Sequence, residues 1–449
     1  MSERAPGLLR MTGPLVVSFW MRALFSFVDT YYASFLGDAS VAAIGLSYPF
    51  ELIMIAVWVG LSTGLTSTFS RAMGAREETK LRQYLDATWR LVLLCTPAFT
   101  LVGAGCWMFA DRLAPDAEVA REFAIFGTTL IAGSAFTMFW SVIPDSIVKA
   151  HGDTRATMWA GIWSNVLNVI FNTIFTFVFH WGIFGIAFST VLGRFGGLIY
   201  ALRKAAAHER TRKERGEPAV SGFDPHPCGA IFALAVPSAL SYVLMAGETG
   251  VVNELLRRVE HGKEALAAYA VYYRVFSFVA MPAIAASVAM LPFAARQFGA
   301  RDVPGVKAGL REAHTAGLVY IAVAAPILFL TAGPLAHQLT TSPVTVSFLV
   351  PALRWIPVAA LIAMPFFLCR PVFEGLGLGR PGLVLSILRY VVLAAPAAWL
   401  GLEAARERGV SPVLGVAWGV TIASILSSAA MLFWTRAVLS RASRPSESS

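Results

Sequence analysis

Six carboxylate side chains interrupt long apolar stretches of this sequence. They are, in chain order, Asp29, Glu51, Asp145, Glu248, Glu254 and Glu374. Ionisable groups inside a membrane are costly, so they usually face protein or water and mark a path for ions or substrates. Asp29 is the clearest case, because LFSFVDTYYASFLG surrounds it with apolar residues. A low dielectric favours a neutral carboxyl group and a nearby cation favours a charged one, so Asp29 could exchange a proton for Na⁺ or a cationic molecule.

A second polar feature is a stripe of amides within SNVLNVIFNTIF. Asn165, Asn168 and Asn172 are spaced i, i+3, i+7, so they share one face of a helix. Amides without partners would be unfavourable in lipid, so this face must contact protein or a cavity. Two interpretations are open from spacing alone. The amides could join neighbouring helices by hydrogen bonds, or their carbonyl oxygens could help to coordinate a hard cation such as Na⁺.

The other acidic residues have competing structural explanations. Lys149 stands four residues after Asp145, which favours an Asp–Lys pair within one helix. Glu248 lies mid-helix and is the best acidic candidate in the second half of the chain. Glu374 lies near the predicted inner end of its helix, and Glu51 has no evident partner. The alternative for Glu248 is an ion pair with an arginine inside an apolar run, namely Arg274, Arg354, Arg370 or Arg389.

The elements that carry these residues are predicted to be membrane helices. Of the 449 residues, 57% are hydrophobic and 14% are charged, whereas about 25% of residues are charged in soluble domains. Crossing ~30 Å of hydrocarbon takes about 20 apolar residues. Twelve runs qualify, and their continuity argues against a β-barrel. The predicted spans of this all-α integral membrane protein are 14–36, 43–70, 84–110, 122–149, 157–180, 184–205, 229–256, 264–295, 309–333, 346–373, 383–402 and 412–439.

Lysine and arginine residues indicate the orientation. With the N-terminus in the cytoplasm, most of them fall in predicted cytoplasmic segments, above all between residues 203 and 215. The formal net charge of +9 is therefore interpreted as a topology signal and not as a nucleic-acid footprint. One predicted outer loop, which carries Arg257, Arg258 and Lys263, opposes this orientation.

The two halves of the sequence are copies of each other. Adding 225 to a residue number aligns VAAIGLSYPFELIMIAVWVGLSTGLTSTFSRAMGARE, from Val41, with LAAYAVYYRVFSFVAMPAIAASVAMLPFAARQFGARD, from Leu266. We therefore predict two six-helix lobes, 1–206 and 229–440, with a basic cytoplasmic linker at 207–228 and a disordered cytoplasmic tail at 441–449. Gly74 and Gly299 are expected to be left-handed helix caps. Repeats of this kind are a recurring transporter design, in which one lobe moves against the other during alternating access.

Polar chemistry is not repeated along with the helices. At the offset of 225, the three asparagines align with Tyr390, Leu393 and Ala397, and Asp29 aligns with Glu254, which lies nearer a charged loop. A purely structural polar set would have less reason to occur in one copy only. A Na⁺ or proton site in the N-terminal lobe is the sharper interpretation.

Common catalytic motifs are absent from the sequence. It contains no HExxH motif and no Walker loop, and its four cysteines form no CxxC pair. We expect neither enzyme activity nor a cofactor, apart from a coupling ion. A membrane-embedded enzyme would need a converging His, Ser or carboxylate set. A receptor or scaffold would not need an internal repeat with its acids in one lobe.

Three segments are similar to one family of transporters. FVDTYYASFLGDASVAAIGL resembles the first-helix signature of the multidrug and toxic compound extrusion (MATE) family, AHGDTRATMWAGIWSNVLNVIFN resembles its GDT loop and fifth-helix LNxxxN element, and FSRAMGARE resembles the end of its second helix. The resemblance spans nearly the whole chain. It implies secondary active efflux of organic cations, drugs or other amphiphiles, driven by inward Na⁺ or H⁺.

The resemblance also implies roles for individual residues. Asp29 matches the family's coupling aspartate, Asn168 and Asn172 match its fifth-helix polar pair, and Thr190 matches a sixth-helix polar residue near that site. Some members carry Asp where this chain has Asn172, which puts a two-carboxylate proton site in doubt. Glu248 lies about one turn beyond the position of a seventh-helix acid in some relatives.

The alternative is a flippase of lipid-linked sugars, which has a related two-lobe architecture. Its pyrophosphate-binding residues would be the basic residues inside the apolar runs: Arg22, Arg194, Arg274, Arg354, Arg370 and Arg389. The Asp-Thr and LNxxxN elements match drug exporters better. We expect a monomer in a bacterial or archaeal plasma membrane, with both termini cytoplasmic, a small-molecule substrate and no nucleic-acid partner.

Overall fold

The structure is a computed structural model that describes residues 7–215 and 220–443, without the side chains of residues 22–27 and 215. All regular elements of the described residues are helices, so the predicted all-α class is confirmed. Eleven helices of the described part are long and apolar enough to cross a membrane. The N-terminal helix, of 27 residues, completes the predicted set of twelve. The chain is a multi-pass membrane protein.

The first six helices coincide with the first six predicted spans. The sixth runs well past the predicted limit of 205, and the fifth continues as the π-helical segment Ile174–Val178. A short helix, Ala110–Leu113, follows the third. The bounds are α1 Leu8–Ser34, α2 Asp38–Gly74, α3 Glu78–Met108, α4 Ala117–Ala150, α5 Thr154–Thr173 and α6 Gly182–Arg215.

The second six helices repeat this order. The eleventh is interrupted in its middle by the π-helical segment Leu388–Leu393 and resumes at Ala394–Glu407. The bounds are α7 Pro227–Arg257, α8 Gly262–Gly299, α9 Val303–Leu339, α10 Pro343–Gly375, α11 Gly379–Ile387 with its continuation, and α12 Pro412–Ala442.

The chain divides into two compact units with the same internal packing. One contains Arg10–Ala239, and the other contains Gly7–Leu9 and the described residues from Leu240 onward, so the division falls within α7. In the first unit α4 is central and packs against α2, α3 and α6, while α5 packs against α6. In the second unit α10 packs against α8, α9 and α12, while α11 packs against α12. The packing therefore reproduces the sequence repeat helix by helix.

The turns that follow α2 and α8 are also copies. After α2, the amide of Arg76 donates to the carbonyl of Met73 at 3.2 Å, and the next amide donates to Ala72 at 2.9 Å. These two bonds define a Schellman motif. Arg301 donates to Phe298 at 3.0 Å in the same arrangement after α8. Arg76 and Arg301 are left-handed, with φ of 59° and 60°.

The prediction that Gly74 and Gly299 are the left-handed caps is therefore wrong. Both are the last residues of their helices, and the positive φ falls two positions later, where the Schellman bonds require it. At the turns that follow α4 and α10, glycine does occupy the left-handed position: φ is 76° at Gly152 and 85° at Gly377.

The predicted linker contains two structural parts. Residues 207–215 extend α6, and residues 216–219 lie outside the described structure. The remaining part is tied to the first unit, since Val220 N–H donates to Arg76 O at 3.0 Å and Tyr84 Oη donates to Asp224 at 2.9 Å. Gln83 exchanges two hydrogen bonds of 3.0 Å with the backbone of Asp224. Of the predicted tail, residues 441 and 442 belong to α12, and residues 444–449 lie outside the described part.

We expect Arg301→Gly to raise the thermal stability of the protein. Arg301 is exposed, and a left-handed conformation costs a residue other than glycine roughly 1 kcal/mol. Gly377→Ala should lower stability by a similar amount, since it places a side chain at a left-handed position. Thermal unfolding of the purified protein in detergent measures both shifts. The neighbouring substitution Ala300→Gly is the control. Ala300 has φ of −78°, so glycine at that position should lower the thermal stability of the protein. Equal effects of Ala300→Gly and Arg301→Gly would contradict the argument.

Candidate functional site

Asp29 of α1 lies in a hydrogen-bonded network with residues of α5 and α6. Asn172 Nδ2 donates to Asp29 Oδ1 at 2.9 Å, and Asn168 Nδ2 lies 3.3 Å from the same oxygen. Thr190 Oγ1 donates to Asp29 Oδ2 at 2.8 Å. The structure thus brings together four residues that the sequence analysis singled out, although they lie far apart in the chain.

The donors of this network also bind one another. Asn172 Nδ2 lies 3.2 Å from Asn168 Oδ1, and Asn168 Nδ2 lies 3.0 Å from Thr190 Oγ1. Ser189 Oγ donates to Asn172 Oδ1 at 2.7 Å. The two asparagines and Ser189 are fully buried, Thr190 is 1% exposed, and Asp29 is only partly buried. Fully buried polar side chains therefore hold the carboxylate of a residue that is itself partly buried.

Sequence reasoning missed Ser189. Its neighbour Thr190 was found through the family resemblance, and the Ser-Thr pair in GIAFST was the available signal. Serine and threonine are too common in membrane helices for that pair to indicate a site by itself, because each can bond to the carbonyl one turn earlier. Here both hydroxyls also lie within reach of the Ile186 carbonyl, at 2.7 and 3.2 Å.

Glycines on one face of α6 allow α5 to approach closely enough to build the network. A Cβ at Gly193 would lie 2.5 Å from Ser164 O and 3.0 Å from Asn168 Cβ. The neighbouring Gly196 and Gly197 are equally confined, by Leu167 and Ala160 O. Small residues at helix interfaces let backbones approach in membranes. The π-helical segment begins at Ile174, two residues after Asn172, and such segments are frequent at functional sites.

A salt bridge lies beside this network. Arg194, one turn after Thr190 on α6, pairs with Glu51 of α2. Glu51 is close enough to Asp29 for the two carboxylates to interact electrostatically, so Arg194 compensates the charge that would otherwise repel Asp29. Within the described part of the chain, no basic side chain forms an ion pair with Asp29 itself. Its only partners there are neutral donors.

The network is suited to a proton or a monovalent cation. Its ligand atoms are carboxylate, amide and hydroxyl oxygens, the hard donors that Na⁺ prefers. Only one carboxylate supplies charge, and the described residues contain no cluster of three or more His, Cys, Asp or Glu side chains. The amide nitrogens face Asp29 in this structure, as expected for a charged carboxylate. Binding of Na⁺ would require amide oxygens to turn towards the ion.

The sequence matches the family model MatE over residues 14–174 and 237–400. The chain belongs to the MatE family. The probable multidrug resistance protein NorM of Thermotoga maritima is 24% identical over 429 residues, which are 88% of this chain and 88% of that protein. The FAD transporter of Shewanella oneidensis is 22% identical over 420 residues, which are 88% of this chain and 87% of that protein.

Solved structures share the fold of this MatE protein. An outward-facing multidrug resistance MATE family transporter of the MOP superfamily has a TM-score of 0.85 at 21% identity, over 97% of this chain and 96% of that one. A MOP superfamily transporter from Pyrococcus furiosus has a TM-score of 0.82 at 21% identity, over 98% and 96%. The predicted family is confirmed, and with it the prediction of a transporter rather than an enzyme.

Other candidates in the first unit of the transporter lie outside the Asp29 network. Asp145 is buried and pairs with Lys149 at 2.5 Å, and Thr157 Oγ1 lies 3.3 Å from its second oxygen. This is the intrahelical pair that the spacing favours. Asn165 is half-buried and, in the described structure, makes no hydrogen bond to Asp29, Asn168 or Asn172. The expected face of three amides thus supplies two to the network.

Candidates in the second unit separate into paired and unpaired residues. Glu254, the counterpart of Asp29, forms exposed ion pairs with Arg257 and Arg258 at 3.0 and 2.7 Å. Glu374 pairs with Arg370 at 3.0 Å. Glu248 differs, because its buried Oε1 has no hydrogen-bond partner among the described residues. In the first unit, the side chain of Arg22, which the sequence analysis named among the membrane arginines, lies outside the described part.

We expect Gly193→Ala to destabilise the first unit. The added Cβ would overlap the backbone carbonyl of Ser164 and separate α5 from α6, and overpacking of this kind costs about 1–3 kcal/mol. Thermal unfolding in detergent gives the size of the loss. Gly105→Ala is the matched control, because a Cβ at Gly105 meets nothing within 4 Å. An equal loss in the two variants would contradict the proposed role of the Gly193 contact.

Proposed function

We propose that this MatE transporter is a secondary active antiporter that exports organic cations, drugs or other amphiphilic small molecules in exchange for Na⁺ or H⁺. The observation that carries the proposal is the Asp29 carboxylate, held by three donors from α5 and α6 and by no basic side chain of the described structure. An acid inside a membrane helix without a cationic partner can be neutralised by an incoming proton or cation, and that is the step an exchanger needs.

The network offers a route from ion binding to helix movement. Hydrogen bonds to a charged carboxylate are stronger than bonds to a neutral group, so protonation of Asp29 weakens its bonds to Asn172 and Thr190. Those bonds join α1 to α5 and α6. The protonation state or cation occupancy of Asp29 therefore biases the position of α1, and a ligand that changes this bias shifts the population of states in alternating access. Asn172, in place of a second acid, leaves one carboxylate to carry the exchange.

The substrate class is supported by named relatives. The relative from Thermotoga maritima is a probable multidrug resistance protein, and the relative from Shewanella oneidensis is an FAD transporter. These names include a charged aromatic molecule as well as drugs, which fits a broad class of amphiphiles. From the excess of Lys and Arg in alternate loops we infer that both termini are cytoplasmic, and we propose a prokaryotic plasma membrane as the location. We propose that the transporter works there as a monomer.

We expect Asp29→Asn to abolish ion-driven efflux while the protein still folds. The amide keeps the size of the carboxyl group but cannot exchange a proton, so the energised efflux rate should fall at least tenfold. Ethidium accumulation in a strain without its own efflux pumps measures the effect at matched expression. Glu254→Gln is the control, since it removes the aligned carboxylate at an exposed position of the second unit and should retain efflux.

The same cells identify the coupling ion. Efflux that is lost with a protonophore and is not restored by an imposed inward Na⁺ gradient identifies H⁺, and efflux that an imposed inward Na⁺ gradient restores in the presence of the protonophore identifies Na⁺. If wild type and Asp29→Asn behave alike across several cationic dyes, Asp29 is not the coupling residue for these substrates.

A further inference from the structure

A second group of polar side chains lies within the second unit. Its centre is Arg389, in the π-helical segment of α11. Arg389 is only 3% exposed. The aligned residue of the first half, at the offset of 225, is Ser164, so this buried cation belongs to one half of the repeat only. The sequence analysis named Arg389 as one possible ion-pair partner of Glu248 and, under the flippase alternative, as one of the basic residues that would bind a pyrophosphate.

Aromatic rings surround the guanidinium of Arg389. Its Cζ lies 4.6 Å from the ring centroid of Phe366, 5.2 Å from that of Tyr390 and 5.6 Å from that of Phe367. The faces of aromatic rings stabilise a cation, but they do not accept all of its hydrogen bonds. Nε and Nη1 of Arg389 are buried and have no hydrogen-bond partner among the described residues. Buried polar groups without such partners are uncommon and call for an explanation.

Glu248 does not supply the hydrogen bonds that Arg389 lacks. Glu248 is close enough to Arg389 for an electrostatic interaction, but within the described residues the two form neither an ion pair nor a hydrogen bond, and Glu248 Oε1 is also without a partner. Structural pairs elsewhere in this chain are in direct contact, as Arg370 and Glu374 are at 3.0 Å. The separation of Arg389 from Glu248 therefore sets this group apart from a structural salt bridge.

Tyrosines supply the other groups around Glu248. Tyr269 and Tyr272 are buried, and their ring centroids lie 5.9 Å apart. Both lie within electrostatic range of Glu248. Tyr273 and Tyr390 also lie within electrostatic range of the group. The cluster thus combines one arginine, one acid and several aromatic faces. Binding sites for small molecules commonly combine apolar walls with a few polar groups that fix orientation.

We propose that Arg389 binds the anionic oxygen group, carboxylate or phosphate, of an amphiphilic substrate whose aromatic body packs on the neighbouring rings. Guanidinium N–H groups match oxyanions in charge and geometry. Glu248 is the competing group within the protein. When it is ionised it attracts Arg389 and repels an anion, so it opposes binding until the substrate supplies the hydrogen bonds. This inference rests on the proposed export function and adds one substrate class to it, namely amphiphiles that carry a carboxylate or phosphate group.

Two flavins provide a matched pair of probes. Riboflavin and flavin mononucleotide share one planar ring system and differ by a single phosphate. We expect the purified full chain in detergent, without an ion gradient, to bind flavin mononucleotide at least tenfold more tightly than riboflavin, as followed by flavin fluorescence. Arg389→Gln should abolish this preference and leave riboflavin binding within twofold of wild type. Arg389→Lys, which restores the charge, should retain part of the preference.

Two further variants separate the anion site from general effects of charge. Glu248→Gln should tighten the binding of flavin mononucleotide several-fold without changing that of riboflavin. Arg354→Gln is the control, since Arg354 also lies over an aromatic ring, 4.8 Å from the centroid of Phe329, but is exposed; it should leave the preference intact. Equal binding of the two flavins to wild type, or equal weakening of both by Arg389→Gln, would overturn the proposal.

The outcome is independent of coupling at Asp29. Asp29→Asn should keep the preference for flavin mononucleotide, because the binding test uses no gradient. If ethidium efflux does not depend on Asp29 while the preference holds and requires Arg389, the coupling proposal fails and the anion site stands. If efflux depends on Asp29 while wild type binds the two flavins equally, the anion site fails and the coupling proposal stands.

Discussion

The hydrogen bonds from Asn172 and Thr190 to Asp29 are the interaction on which the candidate site of the first unit depends. A carboxylate in a membrane helix needs compensation, and here it comes from neutral donors on two other helices. Those donors reach Asp29 only because Gly193 lets α5 and α6 approach within backbone contact. The hydrogen bonds to Asp29 thus depend on the packing of α5 against α6, because a wider separation of these helices would disrupt the network.

The repeat supplies two copies of a scaffold and leaves their chemistry free to diverge. The packing order of helices and the Schellman turns at Arg76 and Arg301 recur in both halves. The residues at the offset of 225 do not: Asp29 aligns with exposed Glu254, and buried Arg389 aligns with Ser164. Because each unit forms its own core, a polar group gained in one half need not disturb the other.

The sequence predicts the helices and part of the first site for physical reasons. Apolar run length shows where helices cross a membrane, and the spacing of Asn168 and Asn172 shows that they share a face. Spacing within one helix cannot show which neighbour that face meets, so Ser189 was missed. Asn165, on the same face, makes no hydrogen bond to Asp29, Asn168 or Asn172 in the described structure. The left-handed position was misplaced at Gly74 because composition suggests glycine, whereas the Schellman bonds select Arg76.

The interior charges of this transporter fall into two physical classes. Asp145 with Lys149, Glu51 with Arg194, and Glu374 with Arg370 are in direct contact, so each compensates its own burial. Asp29 is held by neutral donors, and Arg389 retains donors without partners among the described residues. A charge that is already paired gains little from a ligand, because an existing bond must first be broken. Charges outside such pairs are therefore where an ion or a substrate can change the free energy of the protein most, and among the described residues they include Asp29, Glu248 and Arg389.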